Sequence, residues 1–247
     1  MSATGAGSDR LSRLPKRFYK KVSYEEREER KGWHVLLDGK PINTPVQTRF
    51  VVPSQSLAKV IAAEWDAQGE HIDSDTMPLL RLANTALCQI QGREEAVADE
   101  IAAYASSDLL CYRAEGPQGL VEAQMQKWDP VLAWFKAEWD ADFTLASGII
   151  HADQPDESLR CVRRELGKAD AFALSALHTI TSLTGSVLLA LAHAYGPFSA
   201  PEIWGAAHVD EDWQISQWGE DTDASMRREA RGKEMTAAAQ FLDFLQH

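Results

Sequence analysis

The sequence predicts an α+β protein in which a small antiparallel β unit with one helix precedes a larger all-helical domain. Alternating and short apolar runs punctuated by turn residues are confined to residues 18–52, and helical periodicity takes over from Ser54. A third feature is the run 171–200, which contains no Asp, Glu, Lys or Arg and reads as central core helix.

Taken in order, residues 1–14 lack the apolar stretch of a secretory signal and read as a short disordered tail. RFYKKVSYEE alternates around Phe18, Lys20, Val22 and Tyr24, and GWHVLLDG is a short apolar run closed by the turn pair Asp38-Gly39. Pro41 and Pro45 each push the preceding residue out of the helical region, so this stretch is extended and loop-like. RFVV, stopped by Pro53, is a third strand. Ser54 then caps a helix in which Leu57, Val60, Ile61, Glu64 and Trp65 recur at helical spacing, with Trp65 as its anchor on the sheet. Helical patterns resume at Pro78 and at Arg93. Residues 117–139 read as helix interrupted at Pro130, with Asp129 as cap and Pro130 in the first turn of a new helix. FTLASGII, 143–150, has the look of a lone strand without a legible partner. Helices near 156–166, 169–195, 199–208 and 210–246 complete the chain. The expected division is a tail at 1–14, an α+β domain at 15–85 and a helical domain at 86–247.

Composition narrows the function classes. With 247 residues, 45% of them hydrophobic, the chain can bury a real core. A net charge of −12 argues against a nucleic-acid partner, whose phosphates demand Lys and Arg, and suits a basic protein surface instead. Cys88, Cys111 and Cys161 have no CxxC or CxH spacing and read as free buried thiols in a reducing compartment. The charge-free run is diluted by Ser175, His178, Thr179, Thr181 and His193 and has no flanking basic loop, so no membrane insertion is expected.

The candidate chemistry is sparse. His71, Asp73 and Asp75 have the chemistry of metal ligands but no second ligand group at fixed spacing, and HExxH and EF-hand motifs are absent, so a solvated loop is expected. Asp108 is expected to cap a turn. Cys111 has no local activating base, and His178 and His193 fall in the apolar run, so packing is expected of all three. Neither GxxxxGK[ST] nor GxGxxG occurs. No catalytic, cofactor or metal site follows from these residues; the enzyme alternative is a small hydrolase built on the His71 loop or Cys111.

The segment 202–221 stands apart. At about 100° per helical residue, Trp204, Ala207, Glu211, Ile215 and Trp218 share one face and Trp213 projects opposite. A carboxylate within an apolar stripe must meet a basic partner or sit at an exposed rim. Asp210, Asp212, Glu220 and Asp221 add negative charge, with Asp210 expected as the helix cap. Tryptophans at helical spacing are ordinarily core, whereas aromatic anchors ringed by charge have the character of an interaction hot spot. The pattern leaves both readings open.

An ordered set of segments then carries a resemblance: RFYKKV (Arg17–Val22), LLDGKPINTP (Leu36–Pro45), AAEWDAQ (Ala62–Gln68), MPLLRLANTA (Met77–Ala86), SSDLLCYR (Ser106–Arg113), WDPVLAW (Trp128–Trp134) and DEDWQISQWGED (Asp210–Asp221). Together they resemble the ATP synthase assembly factor two family, chaperones for the alpha subunit of the F-type ATPase catalytic head. The resemblance implies an ATP-independent chaperone, not an enzyme, that holds unassembled alpha subunit until the beta subunit replaces it. It points to Glu211 as the leading functional residue, with Asp212, Trp213, Trp218 and Glu220 in the same partner-binding helix. Trp65 and Asp210 are expected to be structural. A monomer is favoured, without cofactors, in the cytoplasm of a bacterium or in the mitochondrial matrix if the source is eukaryotic. A general interaction scaffold is the remaining alternative.

Overall fold

The computed structural model describes residues 14–27, 32–148 and 151–245. The tail expected at 1–14 falls, apart from Leu14, outside the described residues, as do 149 and 150 of the FTLASGII segment. The chain forms two compact units, one running to Gln89 and taking in the chain end from Asp243, the other spanning Ile90–Leu242.

The first unit is built on an antiparallel sheet of β1 (Val22–Arg27), β2 (Gly32–Leu37) and β3 (Lys40–Pro41), in that order. Register runs from Val22 opposite Leu37 to Arg27 opposite Gly32. Asp38 and Gly39 make the β2–β3 turn with φ of 48° and 77°, the left-handed pair that matches strand twist and that an Asp-Gly step tolerates. Strand structure begins at Val22 rather than Phe18, because the Asp38 carboxylate accepts the Lys20 and Lys21 backbone N–H groups (2.9–3.3 Å). The expected third strand at 49–52 is reduced to bridges. Trp33 and Val52 exchange backbone bonds at 2.9 and 3.0 Å, and Asn43 bridges Arg49 across a loop whose Gln47 has φ 63°.

Helix α1 (Gln55–Asp66) starts at Ser54, whose hydroxyl accepts the Leu57 N–H, and buries Leu57, Ala58, Ile61 and Ala62 against β1 and β2. Arg17 closes its far end, donating to the Asp66 and Gln68 carbonyls and to the Asp66 carboxylate, so a cation sits where the helix dipole is negative. Glu64 caps the next helix, α2 (Pro78–Thr85), from the side: its two oxygens accept the Leu79 and Leu80 N–H groups at 2.8 Å each. That carboxylate is largely buried, and desolvation pushes its pKa up to about 7 against the two hydrogen bonds.

The second unit holds α3 (Glu94–Ala102), α4 (Gln118–Trp139), α5 (Asp156–Leu166), α6 (Ala171–Thr184), α7 (Val187–Tyr195), α8 (Ala200–Ala207), α9 (Val209–Trp218) and most of α10 (Thr222–Leu245). Three sequence expectations are corrected. Helix α4 runs through Pro130 without a break, so Asp129 is not a cap but pairs with Arg113 at 2.8 Å. The run read as one helix over 169–195 bends at Gly185, φ 71°, into α6 and α7, capped by Asp170 and Ser186. Both helices are heavily buried, and no described helix is long and apolar enough to cross a membrane. The helix expected at 210–246 is divided at Gly219, φ 87°. The 143–150 segment finds its partner: β4 (Tyr112–Arg113) pairs in parallel with β5 (Ala146–Ser147).

Candidate functional site

Helix α9 is held by contacts that its own sequence does not reveal. Trp213 packs onto α4 at Gly119, where an added Cβ would stand 2.3 Å from the indole Cη2; only glycine admits the ring at that depth. Gln124, buried on α4, donates from Nε2 to the Asp210 carboxylate at 2.7 Å and accepts the Ala114 N–H at 2.9 Å. On the α10 side, Asp212 meets Arg228 at 2.6 Å, with the arginine side chain only 22% exposed. Beyond the Gly219 bend, Glu220 accepts from the Ser225 hydroxyl and Asp221 caps α10 through the Ala224 N–H.

Asp210 therefore braces α9 against α4. The expected capping role is corrected: the helix opens after His208, leaving Asp210 within its first turn. The expected stripe is also shortened. A break at His208 separates α8 from α9, so Trp204 is not in register with Glu211; its ring lies 3.9 Å from that of His208 and over Gly232 of α10. Glu211, Ile215 and Trp218 remain on one face of α9, opposite Trp213.

Among the acids of the 210–221 segment, Glu211 has the least internal bonding. Its side chain is 40% exposed, and its nearest described basic group is His208 Nε2 at 4.0 Å. That histidine is buried, which drives its pKa down, and its Nδ1 bonds the Trp204 carbonyl at 2.9 Å. Near neutral pH the imidazole is uncharged and forms no ion pair with Glu211. Trp218, on the same face, is 79% exposed, an unusual position for so large an apolar side chain. Charge is distributed to match: 13 of the 25 basic residues but only 11 of the 37 acidic ones lie up to Gln89, so the net negative charge belongs to the rest of the chain.

Most other candidates are used inside the fold, but His178, expected to be packed, is exposed on α6. Asp73 caps a short turn through the Asp75 N–H, Asp75 pairs with Arg81, and the His71 backbone bridges Lys16. Among the described residues no three His, Cys, Asp or Glu side chains are grouped to hold a metal ion. Cys111 is fully buried, and desolvation with the nearby Asp108 pushes its thiol up to about 12, far from a reactive thiolate. Asp108 does more than cap its own turn at Leu110: it accepts from the Ser186 hydroxyl at 2.7 Å and the Leu188 N–H at 3.1 Å, fixing the start of α7. Trp65 is half-buried, edge-on to Tyr19 at 5.6 Å, and the Tyr19 hydroxyl donates to the Trp65 carbonyl. Gly119, Gln124 and Arg228 carried no sequence signal, because each acts through a partner far away in the chain.

The match to known proteins agrees with this architecture. The family model of the ATP12 chaperone protein matches residues 16–136. The crystal structure of Atp12 from Paracoccus denitrificans is 36% identical, with a TM-score of 0.89 over 94% of this chain and 98% of that one. A mutant of the same Paracoccus protein gives the same TM-score and coverage at 35% identity. The Atu1473 protein of Agrobacterium tumefaciens is 47% identical, with a TM-score of 0.90 over 94% of this chain and 87% of that one. Identity above a third across nearly the full length of two such proteins places the sequence inside their family: this chain belongs to the ATP12 family of ATP synthase assembly chaperones.

Proposed function

We propose that this chain binds the unassembled alpha subunit of the F-type ATP synthase head and shields its subunit interface until the beta subunit takes its place, acting by binding alone and as a monomer. The observation that carries this reading is the exposed face of α9. Trp218 supplies an apolar anchor, and Glu211 supplies a carboxylate that no Lys or Arg among the described residues approaches within ion-pair distance. Aromatic anchors beside a charge that a partner neutralises are the usual energetic centre of an interface, which in a specific complex spans about 1,200–2,000 Å². Asp212, held by Arg228, and Glu220 border that face, with Glu220 adding to its negative field, while Trp213 contributes by holding the helix in place. The client surface is accordingly basic and apolar.

The test is suppression of aggregation of purified alpha subunit. Glu211→Lys is expected to keep the wild-type melting temperature and to lose client capture, because charge reversal turns the client's basic surface into a repulsive contact. A variant that protects alpha subunit at wild-type ratios would overturn the role given to Glu211. Capture of many unrelated proteins with no preference for alpha subunit would favour a general scaffold.

A further inference from the structure

Among the described residues, the outer edge of β1 is a strand edge left unpaired, with a groove alongside. Its backbone directions follow from bonds on both sides of the sheet. The Lys21 carbonyl accepts the Asp38 N–H at 2.8 Å, so Lys21 faces β2, and by alternation Ser23 and Glu25 do too. Val22, Tyr24 and Glu26 therefore direct their N–H and C=O groups outward. Strand β2 agrees: Val35, opposite Tyr24, gives its carbonyl to the Ile42 N–H, and Trp33, opposite Glu26, exchanges bonds with Val52 on the far side. Among the described residues nothing bonds the outward groups of β1.

Beside this edge runs a groove of about 360 Å³, between Val22 and Tyr24 of β1 and Lys59, Ala62, Ala63 and Asp66 of α1. Ala62 and Ala63 leave room for a backbone to come close. Asp66 is already paired with Arg17, whereas Lys59 has no ion partner among the described residues, so the groove wall carries one uncompensated positive charge. Three outward residues in a row, a helix flanking them and small side chains on that helix make up the geometry that accepts an added strand.

We infer that this edge is a second client contact, taking an extended segment of the client as a fourth strand antiparallel to β1, with small or aliphatic side chains over Ala62 and Ala63 and a carboxylate opposite Lys59. The occupant is extended because only an extended chain has free N–H and C=O groups to pair with the edge; a helix has spent its own. The inference rests on the reading of the chain as a client-holding chaperone, and the two fail in different ways.

Hydrogen exchange on the full chain, alone and with purified alpha subunit, is the direct test. The Val22, Tyr24 and Glu26 amides should slow by about tenfold or more in the complex, while those of Ser23 and Glu25 are protected in both states. Ala63→Arg fills the groove from an exposed position, and Val22→Pro deletes an outward N–H without removing a β1–β2 bond. Each is expected to weaken alpha-subunit binding by about tenfold at an unchanged melting temperature. A complex in which the three amides exchange as in the free chain and Ala63→Arg binds normally overturns the inference and leaves the chaperone reading intact. Failure of the wild-type chain to bind alpha subunit overturns both. Protection that grows with concentration in the chain alone would assign the edge to a second copy, and also overturns it.

Discussion

Glu211 differs from the acids around it in what it is bonded to. Asp210 is bonded to Gln124, Asp212 to Arg228 and Asp221 to the start of α10, whereas Glu211 faces an uncharged His208 at 4.0 Å. Substitutions should separate accordingly. Asp212→Ala removes a half-exposed ion pair and is expected to shift stability by about 1 kcal/mol or less, whereas Glu211→Lys leaves stability alone and affects only the client. Trp65 belongs to the other category. Its ring packs on Tyr19 and its carbonyl holds the Tyr19 hydroxyl, so Trp65→Arg is expected to destabilise the first unit by about 3 kcal/mol. Half-burial lets the arginine head reach water in part, which is why the expected result is a lowered melting temperature rather than a chain that never folds. Thermal denaturation followed by circular dichroism checks this; an unchanged melting curve would remove Trp65 from the structural role.

At the scale of the element, the ends of α9 were harder to read than its composition. The acidic-aromatic pattern of 210–218 was legible, and so was the projection of Trp213 away from Glu211, because both follow from helical spacing. The break at His208 was not. Trp204 and Glu211 sit at helical spacing in sequence, yet the two helices turn between them, a choice made by the Trp204–His208 contact and by α4 on the other side. Gly119 is the clearest instance of a residue whose role lies in its partner. Gly119→Ala is expected to cost about 1–3 kcal/mol by overpacking, since the new Cβ meets the Trp213 ring. The accompanying sign is faster amide exchange confined at first to Val209–Trp218. Exchange unchanged in α9 would mean that the ring relocates freely and does not anchor the helix. Pro130 teaches the reverse lesson: a strong local breaker was overridden because α4 is packed along its length by Trp128, Val131 and Phe135.

For the whole molecule, one fully buried and one partly buried carboxylate set an uncommon pH dependence. Desolvation raises Glu64 to about 7 and Asp108 to about 6, against hydrogen bonds that pull the other way. Both folded pKa values lie above the unfolded ones, so the folded chain holds these protons more tightly. The resulting stability is fully present below the usual carboxylate range and is lost as pH rises through about 6 for Asp108 and about 7 for Glu64. Within that window each group contributes a slope of up to about 1.4 kcal/mol per pH unit. Glu64→Gln should flatten the fall in melting temperature due to that group between about pH 4 and 7, and Asp108→Asn between about pH 4 and 6; a Glu64→Gln chain with the wild-type slope would contradict the assignment. By itself the sequence determined the order of β and helical parts, the Asp-Gly turn, the core character of 171–192 within the longer run it marked, and the family, because hydrophobic period, turn chemistry and an ordered motif set are local properties of the chain. Only the tertiary structure decided which acid on α9 has neither Lys nor Arg at ion-pair distance among the described residues, which glycine seats Trp213, how Asp108 reaches α7, and which edge of β1 faces away from β2. Each of those depends on a partner far along the chain, and burial or hydrogen bonding across such distances leaves no period in the sequence to read.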